Sequence, residues 1–261
     1  MTDLWLDLRQ AARLCRRAPL LAAVIVGSLT LGIGANTAVF SFVNAIQFRA
    51  LPVEDESTLV DVSEWSATDL CAGCGVGTSY PGFLEWRDRA RSFSAIAACK
   101  EVSVAISAGG DPERVGGAVV SAGLFPMLGV SPVAGRGITT GDETPAATPV
   151  VLIGEALWRN RFGSRPDAIG RTLKVDGKAH TIIGVMPSGF RWPEYAQLWL
   201  PLGASGSPWP RSDRSLTVVA RLAPGIRLRQ AEAEMRSLAV GQAAANPDTN
   251  GRWTARVTTL R

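Results

Sequence analysis

The stretch "LTLGIGANTAVF", Leu29–Phe40, decides the fold class because its Gly32-Ile33-Gly34 begins like a dinucleotide-binding motif. A G-x-G-x-x-G motif binds phosphate only where it follows a strand and opens a helix, and its third glycine lets that helix pack on the sheet. Here Thr37 takes the third position, and the preceding residues show neither turn signals nor alternation of period two. The sequence also contains no Walker loop. Nucleotide binding by this chain is therefore not predicted.

The same stretch lies inside an uncharged run of 31 residues, 18–48, in a chain that is 46% hydrophobic and 19% charged. About 20 apolar residues suffice to cross a hydrocarbon core of roughly 30 Å. A cleaved signal peptide is the alternative, but its apolar core has only about 7–15 residues and ends at an A-x-A-like site. The run therefore predicts a transmembrane helix over 18–48.

Small residues in this predicted span recur at helical spacing. Ser28, Gly32 and Ala35 lie along one face, and Gly34 and Ala38 lie along a neighbouring face. Small residues four apart let a second helix approach closely within a membrane. We therefore predict that this face packs against other transmembrane helices, although glycine is in any case frequent in membrane spans.

The charges that flank the run set its orientation. Four arginines precede it, and on the far side Arg49 is soon followed by three acidic residues, 54–56. By the positive-inside rule, residues 1–17 lie in the cytoplasm and residues 49–261 lie outside it. Residues 1–17 have apolar positions at helical spacing, which predicts an amphipathic helix on the membrane surface or against a cytoplasmic partner.

The charge pattern argues against nucleic-acid binding. The formal net charge is +4, and the excess of arginine is concentrated before the predicted span. A nucleic-acid interface needs clustered cations, usually interleaved with aromatic residues, and the sequence has no such cluster. We expect the membrane, and not a nucleic acid, as the partner of this part of the chain.

The region 49–261 has the pattern of an α+β domain. An alternating strand is predicted at Leu59–Trp65, one or two strands follow at 93–106, and a primed-turn hairpin is predicted at Asp176-Gly177. The clearest helix covers 226–245. Strands and helices alternate irregularly, which favours α+β over a doubly wound parallel sheet. A turn-rich middle predicts an inserted subdomain at about 111–209, between parts at about 49–110 and 210–261.

Three cysteines fall in the predicted extracytoplasmic region. Cys71 and Cys74 form C-x-x-C in a glycine-rich loop, and Cys99 follows in a predicted strand. A redox motif would precede a helix, and a zinc site would need more ligands than the single His180 adds. In an oxidising compartment a disulfide between Cys71 or Cys74 and Cys99 is the main prediction, with redox and metal sites as alternatives.

No set of residues predicts catalysis. No serine in a G-x-S-x-G pattern accompanies His180. Four carboxylates are interpreted as solvated: Asp142, Glu143, Glu232 and Glu234. Four large aromatic residues are interpreted as packing residues: Trp158, Phe162, Trp192 and Trp199. We therefore predict no catalytic, cofactor-binding or metal-binding residue, and a chain that is not an enzyme.

Several segments together resemble the MacB/FtsX-type ABC transporter permeases, and among them the duplicated orphan permease group. The matching segments are "LTLGIGANTAVFSFVNAI", "YPGFLEWRDRARSFSAIAA", "VVLIGEALWRNRFG" and "IGRTLKVDGKAHTIIGVMPSGFRWP". They occur in order along most of the chain. The resemblance implies one transmembrane helix followed by a MacB-like periplasmic core domain, with a porter-like part at 49–110 and 210–261 and an inserted subdomain at 111–209.

The resemblance also implies partners and a location. ATP is expected to bind a separate ABC ATPase subunit, whose motion is transmitted through the bacterial inner membrane to the extracytoplasmic domain for export. Three more transmembrane helices are expected after Arg261, in the same permease half, or a second permease half as a partner. The alternative is a single-pass, membrane-anchored extracytoplasmic domain that acts as a binding or scaffold module.

Overall fold

The computed structural model describes residues 56–66, 75–107, 111–190, 192–193, 195–204 and 209–260, together with helical residues 20, 24, 27–34, 36 and 37. The chain divides into two compact units, Met1–Leu51 and Pro52–Arg261.

In the first unit, Ser28, Gly32 and Gly34 lie in helical residues, whereas Ala35 and Ala38 fall outside the described residues. Large apolar side chains beside them are exposed, including Leu31 at 77%. Among the residues that the structure describes, no helix combines the length and apolar character needed to cross a membrane.

The second unit is an α+β domain, as predicted, and its strands form one ten-stranded sheet. The strands are β1 Leu59–Trp65, β2 Phe93–Ser107, β3 Glu113–Val120, β4 Ala134–Gly135, β5 Val150–Gly154, β6 Thr172–Val175, β7 Lys178–Met186, β8 Leu198–Pro201, β9 Thr217–Leu222 and β10 Thr254–Thr259. The helices are α1 Tyr80–Arg89, α2 Leu124–Leu128, α3 Glu155–Phe162, α4 Leu228–Ala245 and α5 Pro247–Asn250. In the described part of this unit, 3-10 turns occur at Glu56–Thr58, Thr140–Glu143 and Pro166–Ala168.

Local sequence signals explain several of these elements. Ser79 begins α1, because its hydroxyl accepts a hydrogen bond from the Gly82 amide at 3.2 Å. The predicted hairpin joins β6 to β7, with Asp176 at φ 47° and Gly177 at φ 78°. Both central residues of a type I′ turn need positive φ, which glycine adopts without strain. The strand, the hairpin and the long helix predicted from sequence are thus confirmed.

The sheet order shows how the domain is built. It runs β10-β1-β9-β2-β3-β8-β5-β7-β4, and β6 pairs with β2 and β7. In the first four strands every neighbouring pair is antiparallel. Together with α1 and α4 they form a βαββαβ unit in which each helical crossover skips one strand, the split β-α-β arrangement.

Residues 113–201 interrupt this unit between β2 and β9, yet their strands extend the same sheet. The 15-residue strand β2 joins the two regions: its first part, Phe93–Cys99, pairs with β9, and its second part, Cys99–Ile106, pairs with β3. Parallel pairing occurs between β3 and β8 and between β5 and β7. The predicted division near residues 110 and 210 stays a prediction.

Three apolar clusters fill the domain. The first lies between α1, α4 and one face of the βαββαβ sheet and contains Phe83, Trp86 and Met235. The second lies around α2 and contains Phe125 and Trp199. The third lies under α3 and contains Leu157 and Ile153. Burial of this apolar surface is the main favourable term in folding.

Candidate functional site

Cys99 is a buried residue of β2, only 2% exposed, and its thiol is free. Burial raises the pKa of this thiol to about 12, with smaller contributions from Glu101 and Asp61. A protonated, buried thiol is unreactive. Cys71 and Cys74 lie outside the described residues, so the disulfide with Cys99 stays a prediction.

His180 lies on β7, opposite Leu173 on β6. Burial lowers its pKa, and its Nδ1 is 3.1 Å from the carbonyl oxygen of Lys178. Within the described part of the chain, no group of three His, Cys, Asp or Glu side chains is placed to hold a metal ion. His180 therefore belongs to the hairpin, and the structure gives it no partner that would make a metal centre.

Among the described residues, the most buried carboxylate is Glu64 near the end of β1, 2% exposed. It accepts a 2.5 Å hydrogen bond from the Thr78 hydroxyl and forms an ion pair with Arg214, whose side chain is 10% exposed. Neither residue is among those predicted from the sequence. A signal was present, however, because Glu64 follows Val60 and Val62 in the inward positions of a strand.

Arg214 connects this pair to α5 and the segment that follows it. Its Nη2 donates to the Thr249 carbonyl oxygen at 2.7 Å, and its guanidinium lies 4.3 Å from the centre of the Trp253 ring. The cluster therefore joins β1, the segment before β9 and the α5–β10 connection. A paired and hydrogen-bonded charge of this kind fixes geometry and leaves no free group for chemistry.

Asp142 and Glu143 are not solvated, which corrects the sequence interpretation. Asp142 is 8% exposed and accepts two hydrogen bonds from Arg136, at 2.7 and 2.9 Å. The backbone amide and hydroxyl of Thr139 also donate to it, at 2.8 and 2.7 Å. Glu143 accepts the Ala122 amide at 2.6 Å, and burial raises its pKa. Both carboxylates hold the turn after β4 in place.

The pH dependence of this turn gives a testable expectation. The hydrogen bond from Arg136, with those from Thr139, lowers the pKa of Asp142 from 3.8 to about 2. A lowered carboxyl pKa in the folded state adds stability above pH 3.8, and this contribution is lost as the pH falls towards 2. Urea unfolding between pH 6 and pH 2 should therefore show a weaker acid-dependent loss of stability in Asp142→Asn than in the wild type. An equal slope in the two proteins contradicts the assignment.

Glu234 and Gln242 hold α4 against α1, whereas Glu232 is on the outer side. The two carboxylate oxygens of Glu234 accept the amides of Arg91 and Ser92, both at 2.8 Å. Burial alone raises the pKa of Glu234, but these hydrogen bonds outweigh it and the net shift is downward. Gln242 accepts a bond from the Trp86 indole at 3.0 Å. Glu234 is thus bound to the backbone of the α1–β2 turn, and Glu232 is half-buried and pairs with Arg236, so neither carboxylate is simply solvated.

The aromatic residues pack as predicted. Trp199 is fully buried, with ring centres of Phe125 and Phe190 at 5.9 and 5.6 Å, and Phe162 is 8% exposed. Trp158 and Trp192 are partly buried against the third and second clusters. Within the described residues these side chains fill cores, and the buried charges bind one another or the backbone.

Comparison with known proteins agrees with this description. The domain of a putative permease protein from Porphyromonas gingivalis is 15% identical, with a TM-score of 0.61 over 80% of this chain and 93% of that chain. The periplasmic region of MacB from Actinobacillus actinomycetemcomitans is 11% identical, with a TM-score of 0.58 over 80% of this chain and 90% of that one. The extracellular domain of the noncanonic ABC-type transporter YknZ from Gram-positive bacteria is 10% identical, with a TM-score of 0.55 over 77% of this chain and 99% of that one. These likenesses show a shared fold.

A sequence match to a family model shows the family. No curated protein matches the chain. The model of the MacB-like periplasmic core domain, however, matches residues 22–238, which is most of the sequence. The resemblance seen in the sequence is thereby confirmed, and the chain belongs to the family of MacB-like periplasmic core domains found in ABC-type transporter permeases.

Proposed function

We propose that this chain is a membrane-spanning permease component of a MacB/FtsX-type ABC transporter and couples the motion of a cytoplasmic ATPase to its extracytoplasmic domain for export. The observation that carries the proposal is the extent of the family match, which begins at residue 22, inside the predicted span, and continues through the core domain. The similar structures are named as a permease domain, as MacB and as an ABC-type transporter.

In this proposal residues 1–17 are cytoplasmic, residues 18–48 cross the inner membrane, and residues 49–261 are extracytoplasmic. The 31 uncharged residues and the flanking arginines support this topology. The βαββαβ unit corresponds to the porter-like part, 49–110 and 210–261, and residues 111–209 to the inserted subdomain. ATP binds a separate partner subunit.

The buried contacts of the core domain suit a mechanical role. Glu234 and Gln242 fasten α4 to α1, and the Glu64–Arg214 pair fastens β1 to the α5–β10 connection. Buried, fully partnered polar groups have defined geometry, so elements joined by them move together. A domain of this kind transmits a displacement instead of absorbing it.

The predicted helix face provides a mutational test of the permease proposal. A Cβ at Gly32 has no atom of this chain within 4 Å among the described residues, so Gly32→Leu should not clash internally. If Gly32 contacts another transmembrane helix, Gly32→Leu should reduce recovery of further membrane subunits and of the ABC ATPase on the order of tenfold. Co-purification from detergent-solubilised membranes measures this. Ile33→Leu, which conserves volume, is the matched control.

The orientation is tested separately on intact spheroplasts. External protease should digest residues 49–261 and leave residues 1–17 protected. A protected carboxyl-terminal region contradicts the topology. A chain that inserts as proposed but purifies without any ATPase supports the alternative function, an anchored binding or scaffold domain.

A further inference from the structure

One end of the core domain, which we call the entry end, gathers the segment that enters the domain and three other segments. It comprises residues 56–58, the α1–β2 turn at 89–92, the β9–α4 turn at 223–229 and residues 259–260. Leu59 pairs with Arg221, and the Ala223 amide donates to the Ser92 carbonyl at 2.9 Å. The Leu260 amide donates to the Leu59 carbonyl at 3.3 Å. These bonds place all four segments at one end of the sheet.

The entry end carries exposed cations. Arg89, Arg91, Arg227 and Arg229 are all exposed. Of the ion pairs between described residues, none involves these four arginines, whereas Arg211, Arg214 and several others elsewhere are paired. Glu234 lies beside Arg91, but both of its oxygens accept backbone amides.

A largely apolar pocket opens beside one of these cations, Arg227. It has a volume of about 640 Å³, and Leu222, Ile226 and Leu228 line it together with Arg227. An exposed arginine at an apolar recess, with three further exposed arginines at the same end of the sheet, suits a phospholipid, which presents a charged headgroup above its acyl chains.

We propose that the entry end binds the anionic phospholipid headgroups of the membrane from which the chain emerges, with Arg227 and Arg229 as the principal contacts. This inference rests on the proposed function, because it requires the span at 18–48. Eight residue steps separate Phe48 from Glu56, and an extended chain covers at most about 28 Å in that length. The entry end is thus tethered within reach of the bilayer. Each arginine near an anionic surface strengthens association by about fivefold.

The test uses the full chain in nanodiscs of phosphatidylcholine alone or with 40% phosphatidylglycerol. Hydrogen exchange is measured at the amides of residues 223–229. These amides should exchange more slowly in the anionic discs, and 0.5 M salt should remove the difference because it screens surface charge. Arg227→Gln combined with Arg229→Gln should reduce the lipid-dependent protection by about 25-fold at most. Arg165→Gln combined with Arg171→Gln, at the Pro166–Ala168 turn, is the control and should change nothing.

The outcomes separate this inference from the permease proposal. A chain that does not insert into the discs overturns the permease topology. A chain that inserts but exchanges equally in both lipids overturns only the lipid contact. If the amides of residues 223–229 exchange equally slowly in both lipids, and replacing the acidic residues 54–56 with amides speeds their exchange, the arginines pair with the chain's own carboxylates and the inference is wrong.

Discussion

Trp199→Ala is expected to lower the free energy of unfolding by about 3–5 kcal/mol, the range for removing a large buried aromatic side chain. Trp199 is fully buried on β8 between Phe125 and Phe190, and its indole donates to the Trp192 carbonyl oxygen at 3.0 Å. The truncation leaves a cavity and an unpaired carbonyl group. Equilibrium denaturation in urea, followed by tryptophan fluorescence, measures the loss.

Trp199→Phe is the matched control for this substitution. Phenylalanine keeps most of the aromatic contacts but lacks the indole donor, so the loss should be clearly smaller than for alanine. If Trp199→Ala costs less than about 1 kcal/mol, the second apolar cluster is not packed as described.

Arg214→Ala is expected to cost about 3–5 kcal/mol, because it leaves the carboxylate of Glu64 buried without its cation. Glu64 is 2% exposed and keeps only the Thr78 hydroxyl among its described side-chain partners. The substitution also removes the bond to the Thr249 carbonyl oxygen and the contact with the Trp253 ring. Thermal and urea unfolding should both report the loss.

Two further variants show whether the unpaired, buried charge of Glu64 causes this loss of stability. In Glu64→Leu/Arg214→Met no unpaired charge remains, so the double variant should be more stable than Arg214→Ala. Arg236→Ala breaks the ion pair with Glu232 on the outer side of α4, where the Arg236 side chain is 60% exposed, and should cost less than about 1 kcal/mol. Equal losses for Arg214→Ala and Arg236→Ala contradict the buried pair.

Local patterns were enough to predict individual elements of the core domain. The alternation at 59–65, the Asp176-Gly177 turn and the apolar spacing before Ala245 each depend on residues within a few positions. The pairing of β2 with β9 does not depend on nearby residues, because the two strands lie more than a hundred residues apart in the sequence. Either strand would pair equally well with other alternating segments. Sequence therefore indicated α+β but not the order of the sheet.

The polar contacts show the same limit. Glu64 occupies an inward strand position, and its burial could have been inferred from the register with Val60 and Val62. The pairing of Glu64 with Arg214 could not be inferred from the sequence, because one arginine among many has no local feature that distinguishes it. Glu234 on α4 was likewise interpreted as solvated, since nothing in a helical pattern reveals that two amides of a distant turn lie above it.

The length of strand β2 determines how far a small tilt at one end displaces the other end. Fifteen residues in extended conformation span about 50 Å, and hydrogen bonds to β9 along the first part and to β3 along the second part resist bending. A tilt of a few degrees near Phe93 is therefore multiplied by the length of this lever and becomes a sweep of several ångströms near Ser107. The end of β2 near Ser107 is thus displaced farther than its beginning, without any change in the pairing of the strand.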